Sequence, residues 1–502
     1  MKRVLAFLIL CCLALPALAA IDPAIVKQLA AEDSDEKIAA IDALAKTGDP
    51  EALTILKQLD AGELQDENGD DIIINNRVRG KIEEAIAGLR LFSPKPAERL
   101  AAVKELLDGI QPSMTPMLAR ARDKETDSHV KSLLDQAYAL ATLHDPDPAL
   151  RLSAVKALAA SGEPSVSSLL LDYSHDKAVE PNPEIRRAAL ASYHEVERRL
   201  YLADLAAKVF SGLSLGSILL LAALGLAIIY GVMGVINMAH GELLMIGAYA
   251  TYAVQNLFRA YLPGYVDWYV LAAVPVAFFA AATVGIVLER MVIRRLYGRP
   301  LETLLATWGL SLILIQAARV LFGAQNVEVA NPGWMSGGIE VLPSIVLPVN
   351  RIVIVGFSLF VLTLVWVLMN KTRLGMFVRA VTQNRAMAGC VGVPTARVDT
   401  LAFALGAGVA GLGGVALSQI ANVGPDMGQG YIVDSFLVVV LGGVGQLAGA
   451  VWAALGLGVI AKFLEGWTGA VIAKIVVLAF VIVFIQKRPQ GLFALKGRFV
   501  ES

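Results

Sequence analysis

The stretch Ile236-Asn237-Met238-Ala239-His240-Gly241-Glu242 decides how this chain is read. It lies between two apolar runs, Phe210 to Met233 and Leu243 to Val254, each long enough to be a membrane segment or most of one. An amide, an imidazole and a carboxyl crowd into a place where lipid tolerates none of them. Such groups are costly at bilayer depth and normally face a protein interior or a water-filled path. The residues leave three outcomes open: a polar break in a helix, a tight cytoplasmic turn, or a solvated cavity. Gly231, Gly234, Gly241 and Gly247 suit all three, because glycine lets backbones approach closely. The chain reads as a polytopic membrane protein, with its least lipid-like point here.

Composition agrees. Of 502 residues, 56% are hydrophobic and the mean hydropathy is +0.62, which places much of the chain in a bilayer. A net charge of -1 argues against a nucleic-acid partner. Charge is concentrated before residue 204 and apolar mass after it. At the start, Lys2 and Arg3 precede an apolar run from Val4 to Leu15, then Pro16 and Ala17-Leu18-Ala19. This is the pattern of a secretory signal spanning 1–19. The alternative, a first transmembrane helix, needs about 20 apolar residues, more than the run supplies. A lipoprotein reading through Cys11 meets a bulky Leu10 where a small residue is wanted. With Cys11 and Cys12 removed, only Cys390 remains, and no internal disulfide forms.

Residues 20–203 read as a soluble domain of helical repeats, extracytoplasmic if the signal reading holds. Lys37-Ile-Ala-Ala-Ile-Asp-Ala-Leu, Arg99-Leu-Ala-Ala-Val-Lys-Glu-Leu and Arg151-Leu-Ser-Ala-Val-Lys-Ala-Leu align, and Pro50, Pro112 and Pro164 follow at the same offset. A degenerate fourth copy begins at Arg186-Arg187-Ala188-Ala189-Leu190. Apolar residues at i, i+3, i+4 and i+7 mark one buried face per helix. The pattern resembles HEAT repeats, which stack into a solenoid whose concave face binds other proteins. The spacing is irregular, so insertions interrupt it, notably the acidic loop Asp66 to Asp71. That loop lacks the EF-hand pattern. His129, His144, His175 and His194 show no metal-ligand spacing, so no metal site is expected.

Residues 204–502 read as the membrane domain. Apolar segments fall at about 210–233, 241–258, 268–291, 303–322, 351–369, 400–421, 433–464 and 468–485. Three basic clusters orient them: Arg290 to Arg299, Lys371 to Arg397, and Lys487-Arg488 with Lys496 and Arg498. The Gln325–Pro348 loop carries no Lys or Arg and is expected outside. Starting outside, one crossing per segment puts the first two clusters inside and the tail on the wrong face. The long stretch 433–464, broken by Gly442-Gly443-Val444-Gly445, is therefore read as entering and returning as a pair of half-helices, since irregular backbone is tolerated where protein surrounds it.

Two enzymatic readings fail. Gly406-Ala-Gly408-Val-Ala-Gly411 matches a dinucleotide fingerprint but has no preceding strand and no acidic partner for a ribose. Close helix packing explains Gly406, Gly411 and Gly414 better. Ser311 with His240 lacks the spacing of a nucleophile and its base. No Walker A sequence occurs. No catalytic residue and no cofactor are expected.

In the loop at 370–399, Arg373-Leu-Gly375-Met-Phe-Val-Arg379-Ala-Val-Thr-Gln383-Asn384 forms an amphipathic stretch leading to a short helix. That helix is stopped by Gly392 and Pro394. Ala388 followed by Gly392 resembles the Ala-x-x-x-Gly core of the coupling loop of ABC-transporter permeases. With Tyr230-Gly-Val-Met-Gly-Val-Ile-Asn-Met-Ala-His-Gly-Glu242, Val440-Leu-Gly-Gly-Val-Gly445 and Arg488-Pro-Gln-Gly-Leu-Phe493, the membrane half resembles the branched-chain amino-acid and amide permease family of bacterial ABC importers. The signal and the repeat domain together resemble the urea-transporting members of that family.

The resemblance implies an all-α permease of about eight apolar segments in the bacterial inner membrane, not itself an enzyme. Implied partners are a second homologous permease, two cytoplasmic ATP-binding subunits, a periplasmic solute-binding protein and membrane lipid. Its implied solute is urea or a short amide. A branched-chain amino acid or a passive amide channel are the alternatives. Asn237, His240 and Glu242 are candidates for the solute path, with a structural polar turn as the competing reading. Arg379, Gln383, Asn384, Ala388 and Gly392 are the candidates for ATPase coupling, the short helix seating its small-residue face in a partner's groove. Gly442, Gly443 and Gly445 are candidates for a helix break.

Overall fold

Proline sets the spacing of helices in the first part of the chain. Pro50, Pro96, Pro148, Pro164 and Pro183 each open a helix, where a missing N–H costs nothing and the fixed φ is already helical. The computed structural model describes residues 23–493, apart from 32, 48–49, 66–71, 73, 108 and 343–344. The signal at 1–19, the acidic loop Asp66–Asp71 and the basic residues Lys496 and Arg498 lie outside the described residues. The chain divides into Met1–Tyr201 and Leu202–Ser502, a division that falls within one 51-residue helix.

The first unit contains α1 (Pro23–Gln28), α2 (Ser34–Thr47), α3 (Pro50–Asp60), α4 (Asn76–Arg90), α5 (Pro96–Leu107), α6 (Thr115–Lys124), α7 (Ser128–Thr142), α8 (Pro148–Leu158) and α9 (Pro164–His175), and the start of α10 (Pro183–Met233). The aligned sequences are the first helices of successive pairs, α2, α5 and α8. Pro50 and Pro164 open the second helices, and Pro112 opens a 3-10 turn leading into α6. The irregular spacing comes from α4 and α7, extra helices inserted after a pair. The same three positions are buried each time: Ala40, Ile41 and Leu44; Ala102, Val103 and Leu106; Ala154, Val155 and Leu158.

One polar device also repeats. Arg99 donates from Nε and Nη2 to both oxygens of Glu125, each at 2.7 Å, and Arg151 does the same to Glu180 at 2.7 and 3.2 Å. The remaining Nη1 reaches the backbone carbonyl six residues back: Ser93 for Arg99, Asp145 for Arg151, and Glu180 for Arg186. Each carboxylate also accepts backbone N–H groups, from Thr126 and Asp127 or from Asn182. A buried charge survives because every one of these groups is paired.

The second unit continues from α10 through α11 (His240–Tyr261), α12 (Tyr269–Met291), α13 (Pro300–Phe322), α14 (Val349–Lys371), the short α15 (Arg373–Gln383) and α16 (Arg385–Cys390), then α17 (Thr395–Ser418), α18 (Met427–Gly442), α19 (Leu447–Thr468) and α20 (Ala470–Lys487). Seven of these are long and apolar enough to cross a membrane. The remaining two long elements are α11, which carries the polar cluster, and α18, with 16 residues. A two-stranded antiparallel hairpin, β1 (Gly338–Leu342) with β2 (Ile345–Pro348), is the one sheet among the described residues.

The stretch 433–464 is where the structure departs from the expectation. It is two helices, but α19 has 22 residues and is no half-helix. The chain breaks at Gly443 (φ 99°) and Gly445 (φ 75°), conformations that favour glycine. Among the described residues the second unit thus has nine long helices besides the short α15 and α16, seven of them long and apolar enough to cross a membrane. Gly443 packs on Gln490, Gly491 and Phe493, and Gly231 packs on Gly445. The chain after α20 thus shares a face with the ends of α10 and α18. Arg379 donates to the carbonyl of Met369 (2.6 Å) and Arg294 to that of Ala396 (3.3 Å), so the basic clusters gather there. On the opposite face, Val327 and Val423 exchange two backbone bonds of 2.8 Å, and Gly333 N donates to Asp267 at 2.7 Å.

Glycine decides the packing at the centre. α17 is buried along nearly its whole length, whereas less than a quarter of the apolar stretches of α13, α14 and α20 is buried. A Cβ at Gly247 would overlap the carbonyl of Gly411, one at Gly414 the carbonyl of Leu244, and one at Gly225 the carbonyl of Gly406. Gly406, Gly411 and Gly414 are thus backbone contacts of α17 with α10, α11 and α12, with no nucleotide loop in their geometry.

Candidate translocation path and coupling helices

After Met233 the chain turns at Gly234 (φ 65°) and doubles back along α10 before α11 begins. His240 Nε2 is 2.9 Å from the carbonyl of Ala222, eleven residues before the end of α10, or about 16 Å along its axis. Of the three outcomes open to the sequence, the structure has a break drawn into the bundle, not a turn at its face. Non-helical backbone at such depth is tolerated only inside protein.

His240 is fully buried. A carbonyl can only accept, so Nε2 carries the proton and donates to Ala222. The ring, packed beside Gly225, staples α11 to α10. Glu242 is equally buried. Its Oε1 accepts from Ser311 Oγ of α13 at 2.8 Å, while Oε2 has no partner among the described residues. Oε2 points at Gly428, where an added Cβ would sit 2.8 Å away, and Gly241 meets the Gly428 carbonyl directly. The N-termini of α11 and α18 therefore converge on this carboxyl, with partial positive charge from both. Asn237 Oδ1 accepts from Ala239 N at 3.1 Å and Thr307 Oγ1 accepts from Met238 N at 3.1 Å. Asn237 Nδ2 has no partner among the described residues. The structure sets the Asn237–Glu242 break against one side of α13, beside Thr307 and Ser311, and turns His240 toward α10.

Thr307 escaped the sequence reading, and Ser311 was weighed there only as a nucleophile beside His240, not as a partner of Glu242. Their signal was there: Thr303, Thr307 and Ser311 stand four apart on an otherwise apolar helix, and all three are buried. A second buried cluster was also missed. Tyr269 Oη and Gln255 Nε2 both donate to the Ala330 carbonyl, at 2.8 and 2.9 Å, and Gln419 Nε2 reaches Tyr269 Oη at 3.2 Å. It pins the 323–348 segment across α11, α12 and α17. Nothing in local spacing links these residues.

On the basic face, Asn384 Oδ1 caps α16 by accepting from Met387 N at 2.9 Å. Gly392 (φ 86°) ends it, with Val393 N bonded to the Ala388 carbonyl at 3.0 Å. The expectation of an outward small-residue face needs correction. Ala388 is buried against the bundle, because α16 is tied down beside it: Arg385 pairs with both oxygens of Asp399, donates to Tyr297 Oη at 2.8 Å and stacks 4.2 Å over that ring. The exposed surface is instead Ala386, Met387 and Gly389 to Gly392. Arg379 and Gln383 line a cavity of about 500 Å³ with Gly231, Trp366, Met369 and Gln446.

The family described as branched-chain amino acid transport system / permease component matches residues 208–486. The chain belongs to that permease family. The permease is similar to the high-affinity branched-chain amino acid transport system permease protein LivH of Salmonella typhimurium and of Escherichia coli K12. Each is 29% identical over 293 residues, covering 57% of this chain and 94% of the relative. It is also similar to BraD of Pseudomonas aeruginosa, 28% identical over 291 residues with the same coverage. A PBS lyase HEAT-like repeat matches residues 37–61, the α2–α3 pair. No solved structure matches the permease.

Proposed function

We propose that this permease is the B-type membrane subunit of an ATP-driven urea importer, passing urea or a short amide. The observation that carries the reading is the buried Glu242–Ser311 pair at the convergence of two helix N-termini. There an unpartnered acceptor (Glu242 Oε2) and an unpartnered donor (Asn237 Nδ2) share one helix break. A neutral amide offers the complementary N–H and C=O groups, and burial makes unpaired polar atoms costly until a solute pairs them. The relatives match nearly whole yet span only 57% of this chain, so the repeat unit is an addition to them. That addition supports a solute other than theirs.

In this reading the basic face is cytoplasmic, as the positive-inside rule wants, and the repeat unit is periplasmic. ATP-binding subunits grip α15 and α16, a solute-binding protein delivers from the other side, and a second permease completes the path. ATP-driven closure of the gripped subunits moves the membrane helices and alternates access. The test is uptake of radiolabelled urea in a strain lacking the gene. High-affinity uptake is expected to fall at least tenfold and to return with the intact chain but not with Gly392→Leu. Unchanged urea uptake beside a leucine defect would overturn the urea assignment. Uptake unaltered by Gly392→Leu would point to a passive channel.

A further inference from the structure

The exit of α13 carries a contact that the path so far leaves unused. Arg319 Nη2 donates to both oxygens of Asp426, at 2.8 and 3.0 Å. Asp426 stands immediately before α18, two residues from the Gly428 that faces Glu242. On α11, Tyr249 lies two turns beyond Glu242 on the same side of the helix, since seven residues return nearly the same azimuth. Its ring is 3% exposed, yet its hydroxyl has no partner among the described residues. The ring stacks on Phe322 of α13 at 4.4 Å between centroids and 17° between planes. It clusters with Ala318 and Met427, the chain neighbours of Arg319 and Asp426. A single lane between α11, α13 and the start of α18 thus holds Glu242 with Ser311, then the Tyr249 hydroxyl, then the ion pair.

We propose that Arg319 and Asp426 form the outer latch of the translocation path and that the Tyr249 hydroxyl is the contact a planar neutral amide makes between latch and Glu242. The chemistry suits such a solute. A phenol hydroxyl both donates and accepts, and the Phe322 ring stacked on Tyr249 holds that hydroxyl in place. The latch side chains are 41% and 61% exposed, and a pair so solvated is weak. It opens readily, as a gate must. This rests on reading the Glu242 cluster as the path, and the test separates the two.

Tyr249→Cys in the assembled transporter is labelled with a small membrane-impermeant methanethiosulfonate added from the face opposite the basic clusters, the one that carries Val327, Val423 and Asp267. Labelling is expected to be slow with the ion pair intact and about three- to fivefold faster with Arg319→Ala, the population change that a solvated pair supplies. The swapped pair Arg319→Asp with Asp426→Arg should restore protection. Equal rates with and without the pair would overturn the latch, whatever the solute. As a second measurement without the cysteine, ATP-independent flux of urea into proteoliposomes should rise with Arg319→Ala and fall again with the swap. Faster labelling without any urea flux would keep the latch and remove the amide. Flux indifferent to both variants, together with unchanged labelling, would remove the proposal entirely.

Discussion

The two units of this chain hold helices together by opposite means. Between its helices the repeat unit uses aliphatic side chains at three repeating positions, plus the buried Arg99–Glu125 and Arg151–Glu180 clamps. The permease unit brings backbone to backbone at Gly225–Gly406, Gly247–Gly411 and Gly442–Gly449. The difference follows from solvent. In water, burying Leu and Val gains hydrophobic free energy, so side chains fill the gap between helices. In lipid there is no such gain from helix association, and close van der Waals approach takes its place. A buried charge cluster serves structure in the repeat unit, whereas in the permease unit we propose that the Glu242 cluster serves the solute.

The sharpest way to break that comparison is to put a side chain between the backbones. Gly247→Val forces α11 off α17, and no flexible side chain is available to yield. The cost exceeds the ~1–3 kcal/mol of ordinary overpacking. We expect loss of monodisperse protein after detergent extraction, read by fluorescence-detected size exclusion. Gly356→Ala on α14, where a Cβ meets nothing within 4 Å, should leave the profile unchanged. An equal response at both positions would mean that close approach is not what holds the bundle.

Next in size is the clamp. Glu180 has no exposed side-chain surface and Arg151 only 14%. Glu180→Ala leaves a buried guanidinium unpaired and should cost about 3–5 kcal/mol. Loss should appear as a lowered urea midpoint for the repeat unit. The pH dependence has a definite sign. Burial pushes the Glu180 carboxyl up, but the Arg151 bond and the Asn182 N–H more than offset this and hold it below its ordinary 4.5. Glu125 is held low chiefly by its bond to Arg99. A depressed carboxyl contributes its full stability above the unfolded value and loses it as pH falls below about 4.5 toward the folded one. The repeat unit should therefore soften in acid, and Glu180→Gln should flatten that dependence. An acid profile identical in the variant would remove the clamp from the account.

Much of this was legible in the sequence because it is periodic. The aligned Arg99 and Arg151 segments and their prolines give the repeat helices, and the polar residues between Asn237 and Glu242 mark the break. Gly406, Gly411 and Gly414, three of the five glycines of α17, mark close packing. What stayed hidden depends on non-local neighbours. Ser311 is 69 residues from Glu242, and Gly428 is further still. The resemblance to a coupling loop implied an outward Ala388, but Arg385 reaching Asp399 across the loop rolls that face inward. The 433–464 stretch read as a pair of half-helices because α18 begins earlier, at Met427, and α19 runs on to Thr468, past both ends of the apolar pattern. His240 stood out by composition alone, and the structure adds that Nε2 staples α11 to α10 through Ala222 while Nδ1 has no partner among the described residues.

The smallest expected effect separates water-facing from lipid-facing helix ends. In the repeat unit Asn75, Asp127 and Asp147 each cap a helix with a side-chain oxygen. In the permease unit α11 to α14 and α17 to α20 have no such cap, whereas the exposed six-residue α16 has Asn384. A capping oxygen contributes about 1 kcal/mol to the turn it closes. Asp147→Ala should therefore lower repeat-unit stability by ~1 kcal/mol, because there the helix end belongs to a cooperative core. Asn384→Ala removes the same bond from a helix held to the bundle mainly by Arg385. It should leave bundle unfolding unchanged while Met387 amide exchange rises about fivefold, the population change that ~1 kcal/mol gives. If exchange at Met387 did not move, α16 would be fixed by Arg385 alone, and a partner gripping it would push directly on α17 through Asp399.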